Sequence, residues 1–360
     1  MAGIADSTGS AISAVLFGAL AGTGALPFDR VAFESTIRAA GIGIEPSLRA
    51  FAAGFEQAVA DAASARPPEP PKPASAGKQY PLLAPIGDVG FDALVADARA
   101  YFPAPLHGML AAGLRKVVDF QDVAYGREYL DLVAEFLRLE RGGDLALTRA
   151  AAKYIAVAMA YDDVIRVADL KTRASRFERV RDEILAKPDQ LVYTTEFMHP
   201  RMEEVAGTLP AGLGLWLESK PALFKALDRL VNRGRRVQTG TVRWFVPLYL
   251  LGGLKRFRRG TLRHKREVEH RNSWLDRARQ IGPGDYELAV AILEARRLVK
   301  GYSDTHARGA SKFDKVIAAA PRLAGRADAG QWLRRLCKAA LADEEGKALD
   351  GALATVETFL

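Results

Sequence analysis

Helical periodicity is the property of this chain that most restricts its fold. From Phe91 to Ala342 apolar residues recur three and four apart, and Pro103, Pro105, Gly142, Gly143 and Pro188 divide the pattern into helix-sized segments. The spacing predicts helices over Phe91–Phe102, Leu106–Phe120, Val123–Glu140, Leu145–Lys171 and Arg176–Lys187, then over Leu262–Arg279, Asp285–Gly301 and Gly330–Ala342. Only Leu191–Thr195, LVYTT, has the branched and aromatic composition of a strand. A lone strand needs a partner, for which Phe245–Leu250 is a candidate, although a helix broken at Pro247 is the preferred reading of that segment. The expected fold class is mainly α.

The first sixty residues follow the same pattern. Asp6, Ser7 and Thr8 are placed to cap a helix running to about Leu20, in which Gly18, Ala19 and Gly22 allow a close backbone approach. Asp29 is placed to cap a second helix ending at Gly41, and a third begins near Glu45 with Leu48, Phe51, Phe55 and Val59 on one side. From Ser64 to Pro85 proline dominates, which predicts a stiff extended linker. The chain therefore divides into residues 1–63, a linker at 64–85, and a helical domain at 86–360.

Composition narrows the class. With 49% hydrophobic and 26% charged residues the chain is globular rather than disordered or fibrous. One cysteine, Cys337, allows no internal disulfide and cannot hold an iron–sulfur cluster, which takes about four thiolates. Its place beside the apolar face of QWLRRLCKAAL predicts a buried, inert thiol. No Lys or Arg precedes the apolar run Ala11–Phe28, so export is not expected. Trp244–Leu254 falls short of the roughly 20 residues that span a bilayer. A cytoplasmic protein without membrane segments is the expectation.

Three stretches concentrate polar chemistry. In Ala158–Arg181 helical spacing places Asp163 three residues before Arg166 and Asp169 four before Arg173, an order suited to ion pairs along one helix. Tyr161, Asp163, Arg166 and Lys171 are read either as a salt-bridged face beside a core or as a polar seam against another domain or subunit. Between Lys225 and Arg279 sixteen Lys and Arg face four acids, a local excess of twelve that leaves the remainder of this +8 chain net negative. Its densest part makes Arg256, Arg258, Arg259 and Arg263 a candidate anion patch, alongside the plainer reading of a solvated helix face. Nucleic acid is the weaker choice of partner, since no binding motif accompanies the patch. In RLVKGYSDTHARG, Gly301 and Gly309 suggest a tight helix-exit loop bearing Lys300, Tyr302, Asp304, Thr305, His306 and Arg308. Such a loop suits either function or the locking of two helices. His199 and His107 lack the companions a metal needs, so no metal is assigned.

The stretches GIGIEPSLRAFAAGF, YDDVIRVADLKTR and RLVKGYSDTHARG together resemble the large beta subunit of indolepyruvate:ferredoxin oxidoreductases. In that family a gamma-type 2-oxoacid oxidoreductase domain precedes a helical C-terminal extension. The resemblance implies that residues 1–63 are a truncated helical remnant of that α/β domain, its glycine-rich strand–turn–helix lying ahead of Met1. It further implies an alpha subunit as partner, which carries thiamine diphosphate and iron–sulfur clusters, and a ferredoxin as acceptor. The reaction implied is oxidative decarboxylation of arylpyruvates to aryl-acetyl-coenzyme A. This chain would hold no cofactor and would serve as an accessory subunit; a helical scaffold or an anion- or acidic-partner-binding protein is the alternative.

Overall fold

The computed structural model describes residues 7–8, 12–41, 43–64, 83–187, 189–301, 304–343 and 345–358, with the side chains of 62–64 and 304–307 excepted. The chain forms two compact units, Met1–Lys78 and Gln79–Leu360. The linker expected at 64–85 lies almost wholly outside the described residues.

In the first unit α1 (Ile12–Gly22) crosses α3 (Ile44–Ser64), and α2 (Arg30–Ala40) joins them. Glycine sets the crossing distance. A Cβ on Gly18 would lie 1.9 Å from the Phe51 carbonyl oxygen, and one on Gly54 would lie 2.1 Å from that of Val15. At each close approach one of the two backbones is a glycine, Gly18 against Phe51 and Gly54 against Val15, as the small residues of α1 predict for its side of the crossing. Asp29 accepts the Ala32 N–H at 2.8 Å, and Gly41 closes α2 in the left-handed region at φ 70°. Phe17, Phe33 and Phe51 cluster beside the crossing at 5.1 to 6.3 Å, Phe17 edge-on to Phe33 and Phe33 stacked on Phe51. Ile12, Leu16 and Leu20 remain exposed on the far side of α1.

The second unit is mainly α, as the periodicity requires. Its core gathers α4 (Val89–Tyr101), α5 (His107–Phe120), α6 (Val123–Arg138) and α7 (Ala146–Met159). With them pack α14 (Leu262–Ile281), α15 (Tyr286–Glu294), α16 (Asp304–Leu323), α17 (Ala329–Ala342) and α18 (Lys347–Glu357). α7 and α15 are apolar on nearly every side, and both are enclosed: Ala151, Ala152 and Ile155 in the one and Leu288–Leu293 in the other are buried. Asp88 caps α4 and Asp122 caps α6. Between the two halves of this core the chain makes α8 (Val164–Thr172), α9 (Ala174–Glu183), β1 (Thr195–Met198), α10 (Met202–Thr208), α11 (Ala211–Glu218), α12 (Pro221–Val231), β2 (Arg235–Gln238) and α13 (Val242–Gly253). Part of this insertion closes on a smaller cluster at Met202, Ala206 and Leu217.

Three expectations change. The helix expected over Leu145–Lys171 is two helices, because α7 ends at Met159 and Asp163 caps α8 by accepting the Arg166 N–H at 2.6 Å. A short acidic side chain that satisfies a free N–H favours a helix start over a helix interior. The strand lies at Thr195–Met198, and its antiparallel partner is Arg235–Gln238, with Phe197 opposite Arg236. Phe245–Leu250 is helical, as preferred, but the expected break is absent: it sits inside α13, which passes Pro247 and packs against α8, where a Cβ on Gly252 would approach the Asp169 Cα to 3.0 Å.

Candidate functional site

The arginine-rich turn Leu254–Gly260, a 3-10 helix, carries one guanidinium into the interior. Arg258 is 1% exposed. Its Nε donates to Asp163 Oδ2 at 2.8 Å and a terminal nitrogen to Asp163 Oδ1 at 3.4 Å, while the other terminal nitrogen donates to the Phe120 carbonyl and to Gln121 Oε1. The guanidinium also lies 4.1 Å from the centroid of the Phe120 ring. Three segments far apart in sequence therefore meet: the end of α5, the break before α8, and the turn before α14. Each polar atom of Arg258 that is buried here finds an acceptor, which a charge taken out of water requires.

Beside this pair the Tyr161 hydroxyl meets Nδ1 of His264 at 3.0 Å, and Thr261 caps α14 by accepting the His264 N–H. Burial pushes the Tyr161 and Tyr125 phenols far above their ordinary values and pushes His264 down to about 4, with Arg259 and Arg271 adding to the effect against Glu128. Along α14 the polar chain continues. Glu267 bonds Arg263 at 2.8 Å and the buried Arg296 at 3.4 Å, Arg296 reaches His270 Nδ1 at 2.8 Å, and His270 Nε2 lies 3.1 Å from Asp314. Glu128 of α6 bridges Arg259 and Arg271, each at 2.9 Å.

The sequence-predicted residues are placed as follows. Tyr161 and Asp163 enter this interior network, so the seam they belong to faces other elements of the same unit. Arg166 does not pair with the Asp163 carboxylate; it bonds Asp119 at 2.6 Å and Asp169 at 3.2 Å, because Asp163 is occupied by Arg258 and by the cap. Asp169 and Arg173 do pair. Lys171 pairs with Glu196 of β1, which Arg176 also holds.

The candidate anion patch is dispersed: Arg258 is interior, Arg263 is half-buried and held by Glu267, Arg259 is exposed but paired with Glu128, and Arg256 is exposed against the Phe257 ring at 4.8 Å. The candidate loop is also reshaped. Lys300 is exposed beside Gly301, but Asp304, Thr305, His306 and Arg308 belong to α16, and Arg308 is exposed there; Tyr302 lies outside the described residues. Gly309 serves close packing rather than a turn, since a Cβ there would lie 2.6 Å from the Leu298 carbonyl oxygen. His107 caps the preceding helix by meeting the Phe102 carbonyl at 2.8 Å, and His199 is exposed. Cys337 is buried, and burial pushes its thiol up to about 11.

The buried imidazole sets a pH dependence. As pH falls from about 6.5 towards 4, the unfolded chain binds a proton that folded His264 does not, so this group lowers stability by about 2 to 3 kcal/mol over that window and has no further effect below it. Urea melts of wild type and His264→Gln between pH 4 and 7 check this. The difference between the two curves should slope through that window, and parallel curves would show that His264 protonates freely in the folded state.

What the arrangement does chemically is hold remote segments in register by paired charges. Arg258, Arg271, Glu267 and Arg296 carry no sequence motif, and no local signal in the sequence marks them, because their partners stand in other segments. No curated protein and no solved structure matches the chain. Residues 106–319 match a family of unknown function (DUF6537). That segment holds Asp163, Arg258, His264 and Arg296 and spans more than half of the sequence, so the chain belongs to the DUF6537 family.

Proposed function

We propose that the chain is the accessory beta subunit of an arylpyruvate oxidoreductase of the indolepyruvate:ferredoxin type, which converts arylpyruvates to aryl-acetyl-coenzyme A. The reading starts from the resemblance of GIGIEPSLRAFAAGF, YDDVIRVADLKTR and RLVKGYSDTHARG to that family's large beta subunit. The observation that carries it is where the side chains of the central stretch lie. Tyr161, Asp163, Arg166, Lys171 and Arg173 of that stretch brace the fold through Arg258, Asp119, Glu196 and His264. Residues used in this way make a rigid body for a partner to rest on and leave the chemistry to that partner. In this reading thiamine diphosphate and the iron–sulfur clusters belong to the alpha subunit, and the exposed Ile12, Leu16 and Leu20 of α1 mark where the sheet of a gamma-type domain is covered.

Co-expression with an alpha subunit of that enzyme type tests the proposal. A complex pulled down through this chain should contain thiamine diphosphate and iron and should reduce ferredoxin in the presence of indolepyruvate and coenzyme A. An alpha subunit that does not associate, and that turns over equally well without this chain, would overturn it.

A further inference from the structure

Several exposed cations with no carboxylate partner among the described residues gather just ahead of the arginine run Arg256–Arg263 and include its first member. From Lys220 to Phe257 the sequence holds nine Lys and Arg and a single acid, Asp228, which is engaged with the Met202 N–H and the Asn232 amide. Arg233, Arg235, Arg236, Arg243 and Arg256 are exposed and have no carboxylate partner among the described residues. Three of them rest on aromatic rings: Arg236 on Phe197 at 5.4 Å, Arg243 on Trp244 at 5.8 Å and Arg256 on Phe257 at 4.8 Å. Stacking orients each guanidinium at no cost to its hydrogen-bonding edge.

Large apolar side chains interleave with these cations. α13 is an apolar helix in which no residue is buried, and Val242, Val246, Tyr249 and Leu250 form an outward stripe along it, Leu250 being 64% exposed. β2 leads into α13 through three residues, 239–241, and presents Arg236 beside Phe197, which is 77% exposed. α12 adds Leu230 three residues before Arg233. A monomer rarely leaves such a collection open to water without a use for it.

We propose that the α12–β2–α13 face docks an acidic segment of a partner protein that carries apolar side chains between its carboxylates. Charge complementarity selects the sign, since Arg233, Arg235, Arg236, Arg243 and Arg256 are exposed there without a carboxylate partner among the described residues. The predominance of Arg over Lys selects groups that accept a planar fork, and the aliphatic stripe of α13 selects a protein, because a nucleic acid offers little for Val246 and Leu250 to pack against. A bilayer surface fits less well. An interfacial helix carries its cations along its own polar face, whereas α13 has only Arg243 and the remaining charges sit on neighbouring elements. A second copy of the chain would bring like charges together. The inference rests on this surface alone and stands apart from the oxidoreductase reading.

The test uses the full chain and a designed helical peptide with leucines at i, i+3, i+4 and i+7 flanked by glutamates. Fluorescence anisotropy should show binding that weakens roughly tenfold or more in the Arg235→Glu/Arg236→Glu/Arg243→Glu variant, and by a similar factor when salt rises from about 50 to about 300 mM. Val246→Ser/Leu250→Ser should weaken it at constant salt, and polyglutamate without leucines should bind at least tenfold less tightly, or roughly 1.4 kcal/mol. These side chains are exposed, so unchanged circular dichroism and melting of the variants confirm that the loss is local. Equal binding by wild type and the triple variant overturns the proposal. So does no binding of the peptide at low salt, tighter binding of oligo-dT or of phosphatidylserine vesicles than of the peptide, or sedimentation as a dimer that the Val246→Ser/Leu250→Ser change dissolves.

Discussion

Arg258→Ala should destabilise the Gln79–Leu360 unit by about 3 to 5 kcal/mol, the cost of leaving one partner of a buried ion pair behind. The loss exceeds that of an ordinary surface arginine because Asp163, itself buried, then keeps a carboxylate with only the Arg166 N–H of its own cap to face. The Phe120 carbonyl and the Gln121 side chain lose a donor in the same step. Asp163→Asn should cost less, since asparagine caps a helix nearly as well and its side-chain oxygen still accepts from Arg258, which loses its counter-charge but keeps the Phe120 carbonyl and Gln121 as acceptors. Combined in one chain, the two changes should be non-additive by about 0.5 to 3 kcal/mol, as only side chains that share an interaction behave so. Denaturant melts of the four species read this directly. Additive effects, each below about 1 kcal/mol, would mean that the Arg258 guanidinium reaches water and that the pair does not hold α5, α8 and α14 together.

That pair also shows what was legible in the sequence and what was not. Local signals read well: Asp29 and Gly41 bound α2, Gly18 allows the α1–α3 crossing, and Cys337 is enclosed, because each depends on neighbours a few residues away. Asp163 and Arg166 misled because three residues is both the spacing of an ion pair along a helix and the spacing of a capping carboxylate to the N–H it accepts. Arg258 misled for a different reason. A run of arginines ordinarily faces water, and nothing local marks the single member whose partner stands 95 residues earlier. β2 was invisible because RRVQ has one apolar residue, Val237, and its outward arginines follow from the partner strand and not from propensity. Gly309 read as a turn because a sequence does not distinguish a glycine needed for its φ from one needed for the Leu298 backbone that lies against it.

The second large effect is expected at Trp274, where apolar burial rather than charge joins the helices. Trp274 is 1% exposed on α14, its indole N–H donates to the Ile292 carbonyl of α15 at 2.8 Å, and its ring meets Phe313 of α16 edge-on at 6.4 Å. Trp274→Ala removes the largest side chain enclosed in the unit and opens a cavity among three helices that already pack against others, so collapse around it is restricted. The expected loss is about 3 to 5 kcal/mol. Trp274→Phe keeps most of the ring but not the donor, and should cost a smaller amount, about 1 to 3 kcal/mol, from the unsatisfied Ile292 carbonyl and the smaller volume. Trp216 supplies the control, because on α11 it is 52% exposed and its removal should change stability by no more than about 0.5 kcal/mol. If Trp274→Ala and Trp216→Ala melt alike in urea, α14 is not the element that joins α15 and α16. If they separate as expected, the peptide-binding face on α12–β2–α13 should bind with unchanged affinity in folded Trp274→Ala. Part of the segment bearing that face packs around Met202, Ala206 and Leu217, a cluster to which Trp274 contributes nothing.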